Sequence, residues 1–257
     1  MSEHVRVEQQ GELLSITLAR PERRNAITVA MYAALADAIE STTGNAEIRV
    51  ITVSGEGQDF AAGNDLADFL EAAPRLDEEI PVWRLLRALA TCETPIVAAV
   101  HGNCVGIGTT MLLHCDLVIA DDSARFSMPF VDLGLVPEAA SSLLFPQLGG
   151  RRRAARYLLL AEPFGVDEAL EFGLVSHRVE PGALEGKLQQ IVTTLLAKPP
   201  EALRQTQRLL RHGAGKDVLE RMKMESSLFA ERLSSAEVKE AISAFFEKRT
   251  PDFARLR

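Results

Sequence analysis

The run at residues 95–100, PIVAAV, is the stretch that most constrains how this 257-residue chain can fold. It is short, wholly apolar and bounded by proline and glycine, which is the pattern of a strand buried on both faces. Such a strand needs a covered sheet, and the surrounding pattern supplies the covering elements. Residues 13–19 (LLSITLA) alternate apolar and polar side chains and read as a half-buried strand that Arg20-Pro21 ends. Thr28 is placed to cap a helix running to about residue 43. Residues 49–54 (RVITVS) and 117–120 (LVIA) read as further strands, and a short helix fits between Gly106 and Cys115. Strands and helices interleave, so the predicted class is α/β. From Gly150 the pattern turns helical, with helices predicted over 151–160, 166–172, 184–197, 201–212, 218–233 and 236–248, and one strand over 174–179. No internal repeat, low-complexity tract or long linker interrupts the chain. The acidic, weakly periodic segment 68–81 is either a lid over a site or a plain solvated loop.

Composition narrows the function classes. A 47% hydrophobic content with 25% charged residues is enough for a sizeable core. The net charge of −8 disfavours nucleic acid and anionic membranes as partners, so an anionic ligand would need local Arg or Lys. No apolar run reaches membrane-spanning length, roughly 18 residues. Cys92, Cys104 and Cys115 are odd in number and irregular in spacing, and the start MSEHVRVEQQ lacks an export pattern. These features, with a C-terminal FARLR unlike peroxisomal or retention tails, point to reduced thiols and a cytoplasmic location. His101, Cys104, His114 and Cys115 do not have the spacing of a paired zinc motif, so no metal is expected.

Three stretches stand out for chemistry. Residues 60–66 (FAAGNDL) follow a predicted strand and are small enough for a ligand to approach the backbone. Residues 101–109 (HGNCVGIGT) follow the buried strand and open a helix, where main-chain N–H groups suit an oxyanion or phosphate. Their glycine spacing is neither that of a dinucleotide fingerprint nor that of a P-loop, and tight strand-to-helix packing would also explain it. Residues 130–142 (FVDLGLVPEAASS) put Glu138 among apolar and small neighbours. There it is either a dehydrated general base with a raised pKa or an exposed glutamate at a helix start. Asp132 either supplements it or faces solvent.

In order and separation these stretches resemble the crotonase (enoyl-CoA hydratase/isomerase) superfamily. ITLARPERRNAIT resembles the family's first strand and coenzyme-contacting turn, and FAAGNDL the first oxyanion loop. PIVAAVHGNCVGIGTTMLLHCDLVIA resembles the second oxyanion loop with its helix and next strand. EALEFGLVSHRVEP and FFEKRTPDF are similar to later signatures, so the likeness spans about residues 5 to 253. PFVDLGLVPEAASSLLFPQLG resembles the peroxisomal-type Δ3,Δ2-enoyl-CoA isomerases in particular.

The resemblance implies a spiral of ββα units over residues 1–197 and a C-terminal helical trimerisation region over 198–257. A homotrimer or dimer of trimers is expected. It implies an acyl-CoA thioester substrate, with coenzyme A part of the substrate and no separate cofactor. The main-chain N–H groups of Asn64 and Ile107 would hold the thioester oxygen, Gly63 and Gly106 would keep the turns tight, and Glu138 would shuttle the proton. Arg20, Arg23, Arg24, Ala26, Ala62, Asp65, Leu66 and Lys248 would contact the coenzyme. Trp83, Leu86 and Phe245 either line the acyl pocket or pack the core. The two glutamates with which hydratases hold water correspond to Thr110 and Phe130, neither of which titrates as a carboxylate. Besides the isomerase, a hydratase, acyl-CoA hydrolase, ring-opening isomerase or non-catalytic trimer of the same fold stays open.

Overall fold

The computed structural model describes residues 2–65, 67–68, 80–211 and 214–256. Its main sheet has six strands: β1 (Val5–Gln10), β2 (Leu13–Leu18), β3 (Val50–Gly55), β4 (Ile96–Val100), β6 (Leu117–Asp121) and β9 (His177–Val179), in that spatial order. β1 and β2 form an antiparallel hairpin, and every later pairing is parallel. A second sheet pairs β5 (Asn103–Val105), β7 (Arg125–Ser127) and β8 (Phe164–Gly165). In the middle of the chain β4 and β6 of the large sheet are each followed by a short strand of the small sheet, β5 and β7, and then by helix. This is the spiral of ββα units that the sequence resemblance implies.

β4 is buried along its whole length. Its residues alternate between two apolar layers, as a period of two requires. Val97 and Ala99 join Val50 and Ile119 under helix α7 (Leu184–Leu196), which contributes Leu188, Ile191 and Val192. Ile96, Ala98 and Val100 face the larger core with Ile51, Val53, Val118 and Ala120. Helix α1 (Val29–Glu40) buries Met31, Tyr32, Leu35 and Ile39 there, and Thr28 caps it by accepting a hydrogen bond from Met31 N–H.

The remaining helices are α2 (Pro81–Thr91), α3 (Ile107–Thr110), α4 (Ser141–Gly149), α5 (Arg151–Leu159), α6 (Val166–Phe172), α8 (Pro200–Arg211), α9 (Ala214–Leu233) and α10 (Ala236–Glu247). α9 and α10 pack Val218, Met222, Phe229, Val238 and Ile242 into the same large core as the sheet. Among the described residues no helix is long and apolar enough to cross a membrane.

Several elements differ from the sequence pattern for identifiable reasons. The strand predicted over 174–179 is present only at His177–Val179. Gly173, at φ 93°, closes α6, and the N–H groups of Leu174 and Val175 turn back to the Ala169 carbonyl. β5, β7 and β8 have three residues or fewer, too short to show a period. α4 contains Pro146, which reads as a breaker although one lost bond is tolerated there. Neither β1 nor α2 is among the predicted elements. Residues 69–79, most of the acidic segment, lie outside the described residues, as does Leu66.

Candidate active site

The loops leaving β3 and β4 lie side by side at the carboxyl ends of parallel strands, where open α/β sheets place their ligands. Ala61 N–H donates to the Asn103 carbonyl at 3.0 Å, and Val105 N–H to the Ala61 carbonyl at 2.9 Å. Asp59 reinforces the pairing by accepting from Asn103 N–H at 2.8 Å and from its side-chain amide at 2.5 Å. Buried Asn25 ties the preceding turn to both, donating to the carbonyls of Glu56 and Asp59 while accepting from Arg20 N–H. Sequence reasoning singled out neither Asn25 nor Asp59. Their roles are side-chain links between distant segments, which no local pattern marks.

Within this frame two glycines matter. Gly63 has φ 88°, and a Cβ there would sit 3.0 Å from the Val105 carbonyl oxygen. Gly106 has φ 54° and turns the chain from β5 into α3, with open space where its side chain would be. Ile27 pairs with the groups on either side of Asn64, donating to Gly63 O and accepting from Asp65 N–H. The Asn64 N–H therefore faces away from Ile27. Ile107 begins a helix, so its N–H has no carbonyl a turn earlier to bond. Neither N–H has an acceptor among the described residues.

Glu138 lies at the other side of the site and is buried, not exposed at a helix start, with its Oε1 lacking any hydrogen-bond partner. Burial and, after it, the negative charge of Glu225 push its carboxyl up to about 8. Tyr32, on α1, reaches the first loop and lies close enough to feel the Glu138 charge. Its hydroxyl donates to Asn64 Oδ1 at 2.5 Å. Burial and the nearby Glu138 charge hold the phenol well above its ordinary range, so it stays a neutral donor.

The turn that carries Glu138 is strained. Ala139 and Ala140 both adopt left-handed backbone, φ 59° and 55°, at a cost of about 1–2 kcal/mol per residue. Side chains from elsewhere hold it. His114 Nε2 bonds the Ala139 carbonyl at 2.8 Å, and burial lowers that imidazole to about 4, so it stays neutral. Glu225, on α9, accepts from Ala140 N–H at 2.6 Å, Ser142 N–H at 3.0 Å and Ser142 Oγ at 2.5 Å. Tyr32 and Glu225 were not singled out from sequence. Glu225 did leave a signal, because it falls in helical register with the apolar Val218, Met222 and Phe229 on one face of α9.

Thr110 and Phe130 are both buried, and the Thr110 hydroxyl is also unpartnered. Asp132 is exposed. Glu225 is fully engaged in holding the turn. Glu138 is thus the buried carboxylate of the site with an oxygen left free.

The residues expected to meet a coenzyme divide into two groups. Arg20 is mostly buried and spends its guanidinium on the Ala26 carbonyl and Asp65 Oδ2, at 3.0 and 2.7 Å. Burial would raise the Asp65 carboxyl, but hydrogen bonds from Arg20 and from the main chain of Asp68 and Ala67 outweigh it and hold it below its ordinary value. Ala62 N–H bonds the Arg24 carbonyl, so Ala26, Ala62 and Asp65 are parts of the loop scaffold. Arg23, Arg24 and Lys248 have exposed side chains. Trp83 and Leu86 are buried in the large core, whereas Phe245 is 60% exposed and does not line an interior pocket of the chain.

Comparison with known proteins identifies the family. Residues 8–255 match the model of the enoyl-CoA hydratase/isomerase family. The chain is 31% identical to 1,2-epoxyphenylacetyl-CoA isomerase and 32% identical to 2,3-dehydroadipyl-CoA hydratase, both of Escherichia coli K12. Each likeness covers 98% of this chain and 99% of the relative. It is 33% identical to enoyl-CoA delta isomerase 2 of Rattus norvegicus, over 82% of this chain and 55% of that protein. Among solved structures, an enoyl-CoA hydratase/isomerase from Pseudoalteromonas atlantica T6c superposes with a TM-score of 0.93 at 43% identity. That match covers 98% of this chain and all of the other.

Proposed function

The chain belongs to the enoyl-CoA hydratase/isomerase family of acyl-CoA enzymes, and we propose that within it the chain is a Δ3,Δ2-enoyl-CoA isomerase with Glu138 as its proton shuttle. The observation that carries this reading is one buried carboxylate with a free oxygen, together with a position pair, Thr110 and Phe130, that supplies no second acid. A hydratase must position and activate water between two carboxylates. The other buried carboxylate close by, Glu225, has both oxygens committed to three hydrogen bonds that hold the turn and does not substitute for one.

The chemistry is consistent with a single base. Taking a proton from C2 of the thioester opposes a gap of at least about ten pKa units, on the order of 14 kcal/mol, for an ordinary glutamate. Raising the base from 4.5 to about 8 removes roughly 5 kcal/mol of that gap. The rest must come from stabilising the enolate, and in this reading the N–H groups of Asn64 and Ile107 supply it at the thioester oxygen. Glu138 takes the C2 proton and returns it at C4, so one carboxyl near both carbons completes the cycle. Arg23, Arg24 and Lys248, exposed at the surface, are the residues we assign to the coenzyme phosphates, each adding about 1 kcal/mol or less, although Arg24 also lies 3.9 Å from Asp59 Oδ2. Arg20 serves that surface indirectly by holding the loop.

Assaying 3-hexenoyl-CoA and crotonyl-CoA side by side tests the reading. Double-bond migration without water uptake is expected; hydration of crotonyl-CoA as the faster reaction would overturn it.

A further inference from the structure

We infer that Glu225 is a positioning residue for Glu138: the C-terminal helix α9 delivers a buried carboxylate that fixes the turn carrying Glu138 and imposes its charge on that glutamate. The geometry is specific. Glu225 takes the place of an N-cap for α4, since Ala140, at the cap position, has no side-chain acceptor. Its two oxygens are divided between Ala140 N–H on one side and both donors of Ser142 on the other. Two consecutive left-handed alanines need such external support to persist. Together with His114, Glu225 anchors main-chain groups of residues 139, 140 and 142, immediately after Glu138.

A neutral amide could cap the helix, but it would not act on Glu138. The titratable groups that act on Glu138 are the neutral Tyr32 phenol from α1 and Glu225 from α9, while the neutral His114 imidazole bonds the next residue's carbonyl. Arg221, one turn before Glu225, bonds Ser142 Oγ at 3.2 Å and partly offsets the Glu225 charge. Asp132 is exposed on the preceding turn. Burial pushes both carboxyls up, but three donors and Arg221 act against it at Glu225, so Glu225 is the member of the pair that ionises first and its charge opposes ionisation of Glu138 across the turn. The C-terminal helix thereby helps set the proton affinity of a side chain 87 residues earlier in the sequence.

The catalytic consequence rests on the isomerase reading, whereas the electrostatic link does not, and the test separates them. The protonated carboxyl of Glu138 is followed by infrared difference spectroscopy against pH in the substrate-free protein, its band identified by its loss in Glu138→Gln. Glu225→Gln should lower the Glu138 midpoint by one pH unit or more, a tenfold change in proton affinity. Glu225→Asp, which keeps the charge, should leave it within about half a unit. A purely structural role would slow turnover without moving the midpoint, so an unchanged midpoint in folded Glu225→Gln overturns the inference. Should Glu225→Gln not fold, Arg221→Ala gives the second readout. Removing the counter-charge should raise the midpoint, and no change or a fall would count against the link. A shifted midpoint without isomerase turnover keeps the link and rejects the proposed reaction; turnover with no shift does the reverse.

Discussion

The two sides of the site are built by different means. The loops that carry Asn64 and Ile107 are held mainly by main-chain pairing between segments that leave adjacent parallel strands. The turn that carries Glu138 is held by side chains, His114 and Glu225, that arrive from positions 24 residues before and 87 after it. Main-chain donors are fixed by the fold and depend little on which side chain stands at the position. A carboxylate's proton affinity depends on everything packed around it. The first side should tolerate side-chain change and fail when the backbone is forced, and the second should do the opposite.

Glu138→Gln is the largest expected effect. It should cut isomerisation by up to about 10⁴-fold while acyl-CoA binding stays measurable. Full activity in that variant would remove Glu138 from the mechanism. Its pH behaviour carries a sign. The ordinary carboxyl value is 4.5 and the folded one about 8, so the native state keeps a proton that the unfolded chain releases across that window. Stability from this group is complete below about pH 4.5 and is lost as pH rises through 8, by as much as roughly 5 kcal/mol. Glu138→Gln should therefore melt like the parent at pH 4 and well above it at pH 9. In the parent, kcat/KM should rise about tenfold per pH unit up to about pH 8, because the carboxylate is the active form. A flat profile between pH 6 and 8 would contradict that.

Gly63→Ala comes next and attacks the main-chain side. A Cβ at φ 88°, only 3.0 Å from Val105 O, must shift the loop and misplace the Asn64 N–H. We expect about a 10²-fold loss in kcat, near the cost of one such donor, with the fold intact by circular dichroism. Tyr32→Phe should cost roughly fivefold to tenfold, since it frees Asn64 Oδ1 but leaves the main chain paired. A loss as large as that of Gly63→Ala would mean that side chains govern this loop too. Ile107→Val is the smallest. It should lower stability by about 1 kcal/mol in a thermal melt and leave kcat within about threefold, because the N–H is unchanged.

The same division runs through what could be read in the sequence. PIVAAV as a doubly buried strand, Thr28 as a helix cap and the strand-to-helix glycine turn at 106 are local patterns, and each stands where it was expected. The three-residue strands β5 and β7 are invisible because they have no period of their own, though they pair the loops that the proposed chemistry uses. Arg20 and Phe245 show the limit in the other direction. A cation in the expected turn is spent on Asp65, and an aromatic in a helix is left at the surface.

By itself the sequence determined the α/β class, the family and the positions of the two loops and of Glu138, because apolar period, glycine placement and residue type are properties of contiguous residues. Only the tertiary structure decided that Glu138 is buried, that Tyr32 bonds Asn64 within reach of its charge and that Glu225 supports and charges its turn. Desolvation and Coulomb interaction depend on distance in space, and here the partners lie up to 106 residues from Glu138 along the chain.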